Sequence, residues 1–338
     1  MTLPTLLLTV VAATLLLSLL LPFAVKPLLV RLGIMDVPNE RSSHERPVLR
    51  GLGLAVLIAM AAGYLAGWLL LPEEGRTAGA FALGFVAVAA VCSSLLGLGE
   101  DLKGVSVRMR SVLLLLIAVG VAAGLVWYAG ASWWIAIYAV LFVSGYINVA
   151  NFMDGLNGIS GFHGVIAGLA FAAAGWLALP TQPWLMVAGL VLAAGFAGFL
   201  PWNLTRPGAF LGDVGSYLLG GATAATSLFA LMSGVPILAT IGPMIIYFGD
   251  VGVTLVRRAR QGKKWDEPHK EHVYQQLNQM GFSHVAASGI TALFTLAASA
   301  LGLASFFVAP IWWLLLLALG LGVLALYLAL PRLLAPRG

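Results

Sequence analysis

The residues of this chain that could do chemistry beyond packing are concentrated in a few short polar segments. One ends an apolar run with the adjacent carboxylates Glu100 and Asp101, followed closely by basic residues at Lys103, Arg108 and Arg110. Acids at a helix C-terminus oppose the helix dipole, so a structural role is disfavoured unless cations compensate. Mg²⁺ binds one or two carboxylates together with phosphate oxygens. The segment therefore predicts a divalent cation beside an anionic ligand.

A second segment carries a polar residue at every third position, directly after another apolar run: Asn148, Asn151, Asp154 and Asn157. On a continuing helix, this spacing places the first three along one slowly drifting stripe. Amides and an acid at a membrane edge are costly without a partner. Either a ligand or hydrogen bonds to a neighbouring helix would satisfy them.

A glycine-rich segment contains Asn203, Phe210, Gly212, Asp213 and Ser216. Asp213 and Ser216 could cap the helix that follows. Capping leaves Asn203, Phe210 and Gly212 unexplained. An aromatic ring can stack on a planar base, and glycine lets backbone N–H groups approach an anion. We predict that Asp213, the sole acid here, is a Mg²⁺ ligand.

The elements that position these segments are membrane helices. The 338 residues are 61% hydrophobic and 9% charged, which excludes an ordinary water-soluble fold. Eleven apolar stretches have a length close to the ~20 residues that span a bilayer. They lie at 5–30, 52–71, 77–98, 111–128, 132–149, 159–179, 184–200, 214–231, 236–256, 286–307 and 311–332. We expect an all-α polytopic membrane protein forming a single integral-membrane domain over 1–338.

Charge sets the expected orientation. With eleven helices, all 18 Lys and Arg residues except Arg76 fall on one side. By the positive-inside rule, the N-terminus is outside and the C-terminus cytoplasmic. The acids, apart from Glu73 and Glu74, follow the same division. The basic residues form no stripe, so no nucleic-acid partner is expected.

The loop after the ninth span is the most basic one. Its cluster is expected to contact anionic lipid headgroups, and comprises Arg257, Arg258, Arg260, Lys263 and Lys264. Pro268 is expected to start a short helix carrying His269 and His272 on one face. Asp250 lies inside the apolar span before this loop, where an unpaired carboxylate is costly. A structural partner and a site role both remain open for it.

These motifs, in this order, resemble those of the polyprenyl-phosphate N-acetylhexosamine-1-phosphate transferases, which include the phospho-MurNAc-pentapeptide translocase. Glu100-Asp101 resembles the family's paired aspartates, and the segment from Asn148 to Gly158 its N-x-x-N-x-x-D-G-x-x-G motif. The segment from Phe210 to Ser216 resembles F-x-G-D-x-G-S. The first polar loop, from Asp36 to Gly51, resembles that of the O-antigen branch. Motifs and helix count together cover nearly the whole chain.

The chain also departs from the family pattern. Glu100 replaces the first aspartate of the pair, which makes Asp101 the stronger candidate. Tyr274 and Gln275 replace two histidines of the family's H-x-H-H motif, leaving His272. Asn157 stands where the translocase has a third acid, which argues against the cell-wall substrate.

The resemblance implies transfer of N-acetylhexosamine-1-phosphate from a UDP-sugar to undecaprenyl phosphate in the bacterial inner membrane, beginning O-antigen or related polysaccharide synthesis. Mg²⁺ is the expected cofactor, with Mn²⁺ as the alternative, and membrane lipids are partners. Asp101, Asp213 and Glu100 are the catalytic candidates, the first two also as metal ligands. The residues expected to bind the donor and acceptor substrates are Arg50, Lys103, Arg110, Asn148, Asn151, Asp154, Asn157, Asn203, Phe210, Gly212, Asp250, His269, Lys270 and His272.

Two other functions fit parts of the pattern. An intramembrane aspartyl protease needs two aspartates on facing helices, but Glu100 stands where its G-x-G-D context requires an aspartate. A lipid-linked sugar transporter would carry charges near the midplane and on both leaflets. This chain concentrates them on one side. The sequence leaves a homodimer open.

Overall fold

The computed structural model describes residues 2–36, 48–71, 76–180, 182–205, 208–264 and 269–335. Its regular elements are α1 (Leu3–Leu20), α2 (Pro22–Arg31), β1 (Met35–Asp36), β2 (Val48–Leu49), α3 (Gly53–Leu70), α4 (Arg76–Lys103), α5 (Val107–Ala129), α6 (Trp133–Met153), α7 (Ile159–Leu177), α8 (Pro183–Leu204), α9 (Asp213–Met232), α10 (Ile237–Ile241), α11 (Ile245–Arg260), α12 (Val273–Gln279), α13 (His284–Ala304) and α14 (Trp313–Leu333). Short 3-10 turns occupy Gly242–Met244, Ser305–Phe307 and Pro310–Trp312.

The predicted helix count is confirmed. Within the described ranges, 11 helical stretches are long and apolar enough to cross a membrane. Several helices extend beyond their apolar runs into the polar motifs, so that α4 contains Glu100 and Asp101 and α6 reaches Met153. An odd number of crossings puts the two ends of the chain on opposite sides. Which side is cytoplasmic stays a prediction.

Two of the spans are interrupted at prolines. The first consists of α1 and α2, which meet at Pro22, and the ninth consists of α10 and α11 around the 3-10 turn that contains Pro243. Proline has no backbone N–H and cannot continue the helical hydrogen-bond ladder. Gly242, Pro243 and Met244 are all buried. The break in the ninth span therefore faces protein, where irregular backbone is tolerated at membrane depth.

Helix α9 lies at the centre of the bundle, packed mainly against α4 and α6. Its residues are almost all buried, and its interfaces use small side chains. A Cβ added at Gly220 would lie 2.6 Å from the Cα of Ile147 on α6. Small residues let membrane helices approach closely and gain van der Waals contact. This packing fixes the first residue of α9, Asp213, relative to the ends of α4 and α6.

The first polar loop is closed at its base by a short hairpin. Strands β1 and β2 pair antiparallel, with Met35 opposite Leu49. The chain after β2 then pairs with the segment before α9, because Phe210 donates its N–H to the Leu49 carbonyl at 2.8 Å and accepts from Leu52 at 3.1 Å. Residues 37–47 of the loop, including the expected family match there, lie outside the described residues.

The connections after α2, α4, α6, α8 and α11 lie at one end of the bundle, called here the motif face. The contacts between these connections, described below, bring together residues that are far apart in the chain.

Candidate active site

Two acids meet where the end of α4 abuts the start of α9. Asp101 receives hydrogen bonds from the backbone N–H groups of Asp213, at 3.1 Å to Oδ1, and of Val214, at 2.9 Å to Oδ2. A Cβ on Gly97 would collide with the Asp213 backbone, so glycine permits this close approach. A carboxylate at a helix N-terminus satisfies unpaired N–H groups and interacts favourably with the helix dipole. Asp101 thus caps α9 from another helix.

Arg50 lies between these two acids. Its Nε is 2.8 Å from Asp101 Oδ1, and its Nη2 is 2.8 Å from Asp213 Oδ2. The planar guanidinium can contact both carboxylates at once. The Asp101 side chain is 1% exposed and that of Asp213 is 17% exposed. We call Arg50, Asp101 and Asp213 the acid–arginine cluster; its accessible acid is Asp213.

Asn151 holds the other side of Asp213. Its Nδ2 donates to Asp213 Oδ1 at 2.8 Å and to Ser216 Oγ at 3.1 Å. Gly212, with φ 76°, precedes the helix as its N-cap residue and has no side chain that could cap it. Asp213 is therefore not the capping residue of α9. Its carboxylate is oriented by Asn151 and Arg50.

The predicted polar stripe on α6 ends sooner than expected. Asn148 donates to the carbonyl of Ser144 in its own helix at 2.8 Å. The helix stops at Met153, and Asp154 leaves it with φ −84° and ψ 64°. The expectation of a continuing helix is therefore wrong at Asp154, because the chain turns there towards α7. Asp154 instead accepts a hydrogen bond from Ser160 Oγ at 2.7 Å.

The environment of Asp154 favours its neutral form. Burial raises its pKa from 3.8 to about 7, the Ser160 hydrogen bond partly opposes this, and the charge of Asp213 adds to it. Asp154 thus titrates near neutral pH, next to the acid–arginine cluster.

Asn203 and Asn157 form a latch between two connections. Asn203 Oδ1 accepts from the N–H of Gly158 at 2.5 Å, and its Nδ2 donates to the Ala209 carbonyl at 2.9 Å. Asn157 Nδ2 donates to the Asn203 carbonyl at 2.7 Å. Both polar ends of the Asn203 amide are thus engaged within the protein. Asn157 Oδ1, in contrast, is buried and has no hydrogen-bond partner among the described residues.

The glycine expected to approach an anion approaches protein groups. A Cβ at Gly212 would lie 2.6 Å from Asp101 Oδ2 and 2.8 Å from the backbone N of Gly51. Gly212 thus makes room for the acid–arginine cluster itself. Phe210, held by its backbone to the first loop, has a partly buried side chain at the same edge.

Glu100 and Asp101 face different neighbours because successive helix residues point about 100° apart. Glu100 Oε1 lies 3.6 Å from Arg110 Nη1, and Glu100 Oε2 is buried with no hydrogen bond to any described residue. Lys103, the last residue of α4, is exposed. The paired acids therefore divide, with Asp101 in the acid–arginine cluster and Glu100 beside α5.

The histidines of the basic loop are arranged differently from the prediction. Pro268 lies outside the described residues, residues 269–271 are not helical, and α12 begins at Val273 with His272 as N-cap. The expected helix carrying both histidines is therefore wrong. The rings of His269 and His272 still lie near each other, with centroids 4.9 Å apart. Lys270 contributes its carbonyl to a hydrogen bond from Gln279 at 3.0 Å.

His269 is neutral near physiological pH. Burial, with the neighbouring His272 and Arg258, lowers its pKa from 6.5 to about 4. Its Nδ1 accepts from the N–H of Glu271 at 3.4 Å, which leaves Nε2 as the protonated nitrogen. His269 can donate a hydrogen bond but supplies no charge.

Asp250 is fully buried and binds the start of α12. Its carboxylate lies 3.1 Å from His272 Nδ1 and accepts from the N–H of Val273 and the hydroxyl of Tyr327. Among the described residues, its hydrogen bonds are all to these elements and to Thr254, and none is to the acid–arginine cluster.

Part of the basic cluster is an internal ion-pair network. The Arg258 side chain is 4% exposed, and its Nη1 lies 2.6 Å from Glu271 Oε1, which Lys263 also contacts at 3.0 Å. Although burial opposes it, hydrogen bonds from Lys263 and Arg258 lower the pKa of Glu271. The expected lipid contact is therefore wrong for Arg258, whose charge is used inside the loop. For the other members of the cluster, Arg257, Arg260, Lys263 and Lys264, the lipid contact stays a prediction.

Sequence reasoning missed Tyr274 as a site residue because it replaces a family histidine. The side chain is fully buried, and its hydroxyl donates to the Phe152 carbonyl at 3.0 Å. A Cβ at Gly155 would collide with that hydroxyl. Tyr274 joins α12 to the end of α6. The signal available in the sequence was a tyrosine, with one polar end, directly before Gln275 and Gln276.

Comparisons with known proteins identify the family of this chain. The family model described as glycosyl transferase family 4 matches residues 82–231, which include Asp101, Asn151 and Asp213. The decaprenyl-phosphate N-acetylglucosaminephosphotransferase of Mycobacterium tuberculosis is 31% identical over 303 residues, covering 77% of this chain and 72% of that protein.

Two further relatives match over shorter alignments. The probable undecaprenyl-phosphate N-acetylglucosaminyl 1-phosphate transferase of Bacillus subtilis is 28% identical over 275 residues, covering 77% of this chain and 74% of that protein. A phospho-N-acetylmuramoyl-pentapeptide-transferase of Picosynechococcus is 29% identical over 229 residues, covering 59% of this chain and 61% of that protein. The chain is a multi-pass membrane protein that belongs to glycosyl transferase family 4, the family of the polyprenyl-phosphate N-acetylhexosamine-1-phosphate transferases.

Proposed function

We propose that this protein transfers N-acetylhexosamine-1-phosphate from a UDP-sugar to undecaprenyl phosphate at the motif face, releasing UMP. The observation that carries the proposal is the acid–arginine cluster, in which Arg50 joins the carboxylates of Asp101 and Asp213. This cluster lies at the ends of membrane helices. There the phosphate of a membrane-embedded lipid and a water-soluble nucleotide can meet.

In the proposed reaction, a phosphate oxygen of the lipid attacks the sugar-linked phosphorus of the donor. A new P–O bond forms, and the bond from that phosphorus to the oxygen shared with the uridine-linked phosphate breaks. The electron pair leaves with UMP. The bond between the sugar and its phosphate is kept. The main obstacle is repulsion between anions, which fixed cations and metals offset in phosphoryl transfer.

The side chains of the cluster fit a magnesium ion that takes part of its coordination from the substrate. Among the described residues there is no group of three or more acids, histidines or cysteines that could hold a metal by itself. Asp213 and Asp101 would provide one or two carboxylate ligands, and phosphate oxygens and water the others. Mn²⁺ accepts the same oxygen donors. Bound there, the ion would neutralise phosphate charge.

The two acids have unequal access to ligands. Asp213 is the better placed to bind the metal, since its side chain is 17% exposed. Asp101 has both oxygens bound to the N-terminus of α9. We therefore assign to Asp101 the role of orienting Asp213 and Arg50. It would also contribute to binding the metal.

The cationic and aromatic side chains are assigned to the donor. The 35% exposed Arg50 can turn part of its guanidinium towards a phosphate, to which arginine binds strongly through paired N–H groups. Lys103, the last residue of α4, and Arg110, in the first turn of α5, add positive charge at the motif face. Phe210 offers a ring to the uracil base. His269, Lys270 and His272 are assigned to the diphosphate.

We propose an N-acetylhexosamine donor, the bacterial inner membrane as location and its cytoplasmic side as the motif face. Two of the relatives are named as N-acetylglucosamine phosphotransferases. Asn157, which donates to the Asn203 carbonyl, stands where the translocase has an acid. These observations favour the branch that starts O-antigen or a related surface polysaccharide.

The test is UMP release by the purified protein in detergent, with UDP-N-acetylglucosamine, undecaprenyl phosphate and Mg²⁺. We expect release that requires the lipid phosphate and yields a lipid-diphospho-sugar. UDP-MurNAc-pentapeptide should be a poor donor. Release of UDP would indicate sugar transfer without phosphate. No acceptor-dependent UMP release from any UDP-N-acetylhexosamine would refute the proposal and reopen the protease and transporter alternatives.

A further inference from the structure

The carboxylate of Asp250 is an anchor for donors from three helices. It accepts hydrogen bonds from Val273 N–H, at 3.0 Å to Oδ2 and 3.2 Å to Oδ1. The Tyr327 hydroxyl donates to Oδ2 at 2.9 Å, and the Thr254 hydroxyl to Oδ1 at 3.3 Å. Asp250 is 0% exposed, so no lipid or nucleotide can reach it. It therefore acts through its neighbours.

One of these neighbours is His272, whose Nδ1 lies 3.1 Å from Asp250 Oδ1. A carboxylate accepts hydrogen bonds, and four other contacts already place donors on its two oxygens. The proton between Asp250 and His272 therefore belongs to Nδ1. This leaves Nε2 as the ring nitrogen for another partner, since none of the described residues bonds to it. The His272 side chain is 3% exposed, so a ligand would reach this nitrogen only through a narrow opening. A carboxylate that holds one imidazole nitrogen fixes the ring's tautomer and orientation.

The same carboxylate fixes where this imidazole stands. It caps α12, because Val273 is the first residue of that helix. Tyr274, the next residue, binds the Phe152 carbonyl at 3.0 Å. Phe152 follows Asn151, whose amide holds Asp213. A short series of contacts thus joins Asp250 to the acid–arginine cluster and places His272 relative to it.

We propose that Asp250 is a positioning residue, which holds His272 with Nδ1 protonated so that Nε2 binds the diphosphate of a nucleoside diphosphate. The nature of this ligand rests on the proposed function. The tautomer of His272 and its dependence on Asp250 are independent of that function. A carboxylate that served only as a helix cap would stabilise α12 without setting the chemistry of the ring.

The first test is ¹⁵N NMR of the full-length protein labelled at histidine, in detergent and without substrate. The signals of His272 are identified by their loss in His272→Gln. We expect Nδ1 of His272 to be protonated in the wild type. In Asp250→Ala, we expect the proton to move to Nε2. Tyr327→Phe is the matched control, since it removes one bond to Asp250 and leaves the imidazole contact in place. Unprotonated Nδ1 in the wild type would overturn the proposal, as would an unchanged tautomer in Asp250→Ala.

The second test uses UDP, which carries the diphosphate but no sugar to transfer. Titration of UDP with Mg²⁺ should shift the Nε2 signal of His272 in the wild type and in Tyr327→Phe. The apparent affinity for UDP should fall about tenfold to a hundredfold in Asp250→Ala, the range for a lost hydrogen bond to a charged group. No response of Nε2 to saturating UDP would overturn the assignment of the ligand.

A double-mutant cycle separates positioning from stability. If Asp250 acts through His272, the loss of UDP affinity in Asp250→Ala/His272→Ala should be no greater than in His272→Ala alone. Additive losses would contradict the proposal. If Asp250→Ala does not fold, Asp250→Asn takes its place in the cycle with the same two outcomes. An inactive wild type that still shows the expected tautomer and UDP response would refute only the proposed transferase reaction.

Discussion

The carboxylate of Asp101 accepts a hydrogen bond from the backbone N–H of Asp213 across 3.1 Å. An acid at the end of α4 thus holds the first residue of α9, and that residue is the acid assigned to the metal. A change at Asp101 therefore acts on Asp213 as well. Loss of activity at position 101 does not by itself identify a base.

This relationship leads to a prediction for Asp101→Asn. The amide can accept at only one atom, so one of the N–H groups of Asp213 and Val214 loses its partner. We expect a fall in stability of about 1–2 kcal/mol, the usual cost of a lost helix cap, together with at least a tenfold loss of turnover. Thermal unfolding and UMP release measure the two effects. Turnover near that of the wild type would remove Asp101 from the site.

For Asp213→Asn, we expect a changed metal dependence and a nearly unchanged melting temperature. The amide oxygen can still accept from Asn151, but the second carboxylate oxygen, which Arg50 contacts at 2.8 Å, is lost. The Mg²⁺ concentration for half-maximal activity should rise about tenfold or more, since an anionic ligand becomes neutral. Ser216→Ala, which keeps the carboxylate, is the control and should retain the wild-type requirement. Full activity of Asp213→Asn throughout a Mg²⁺ titration would contradict the assignment.

Asp154 should make stability depend on pH. Its folded-state pKa of about 7 is raised from 3.8 by burial, so the folded protein prefers the neutral acid. The stabilisation of the folded state by the neutral acid is fully present below about pH 4. It is lost as the pH rises through about 7. Asp154→Asn keeps an acceptor for Ser160 and cannot ionise. We expect its melting temperature, relative to wild type, to be about 2–6 °C higher at pH 8 than at pH 5. A difference that does not change with pH would show that Asp154 does not titrate in this range.

The ion pair of Arg258 and Glu271 predicts a contrast between two arginines of one helix. Arg258→Ala leaves a half-buried carboxylate without its 2.6 Å partner and should lower the melting temperature by several degrees. Arg260→Ala, at an exposed position, should leave the melting temperature unchanged. Arg260→Ala should instead weaken association with anionic lipid vesicles. Equal melting temperatures for the two variants would return Arg258 to a surface role.

The sequence by itself determined the number of spans and the end of the bundle that carries the chemistry. Both follow from local properties, because a run of about 20 apolar residues is sufficient to cross a bilayer whatever its neighbours. The motifs around Asp101, Asn151 and Asp213 were also legible in the sequence, and the structure brings these three residues together.

Only the tertiary structure decided what each polar side chain does. Arg50 meets Asp101, Asn203 closes a latch with Gly158, and Asp250 binds His272. Each contact joins different helices or connections, so spacing along the chain does not predict it. The prediction of a helix that begins at Pro268 was wrong for the same reason. A carboxylate on α11 and a hydroxyl on α14 meet at the first N–H of α12, and this contact sets where that helix begins. In lipid, an apolar segment must satisfy its own backbone hydrogen bonds, so local sequence is enough to specify a helix. The partner of a buried polar side chain depends instead on which helices pack against it.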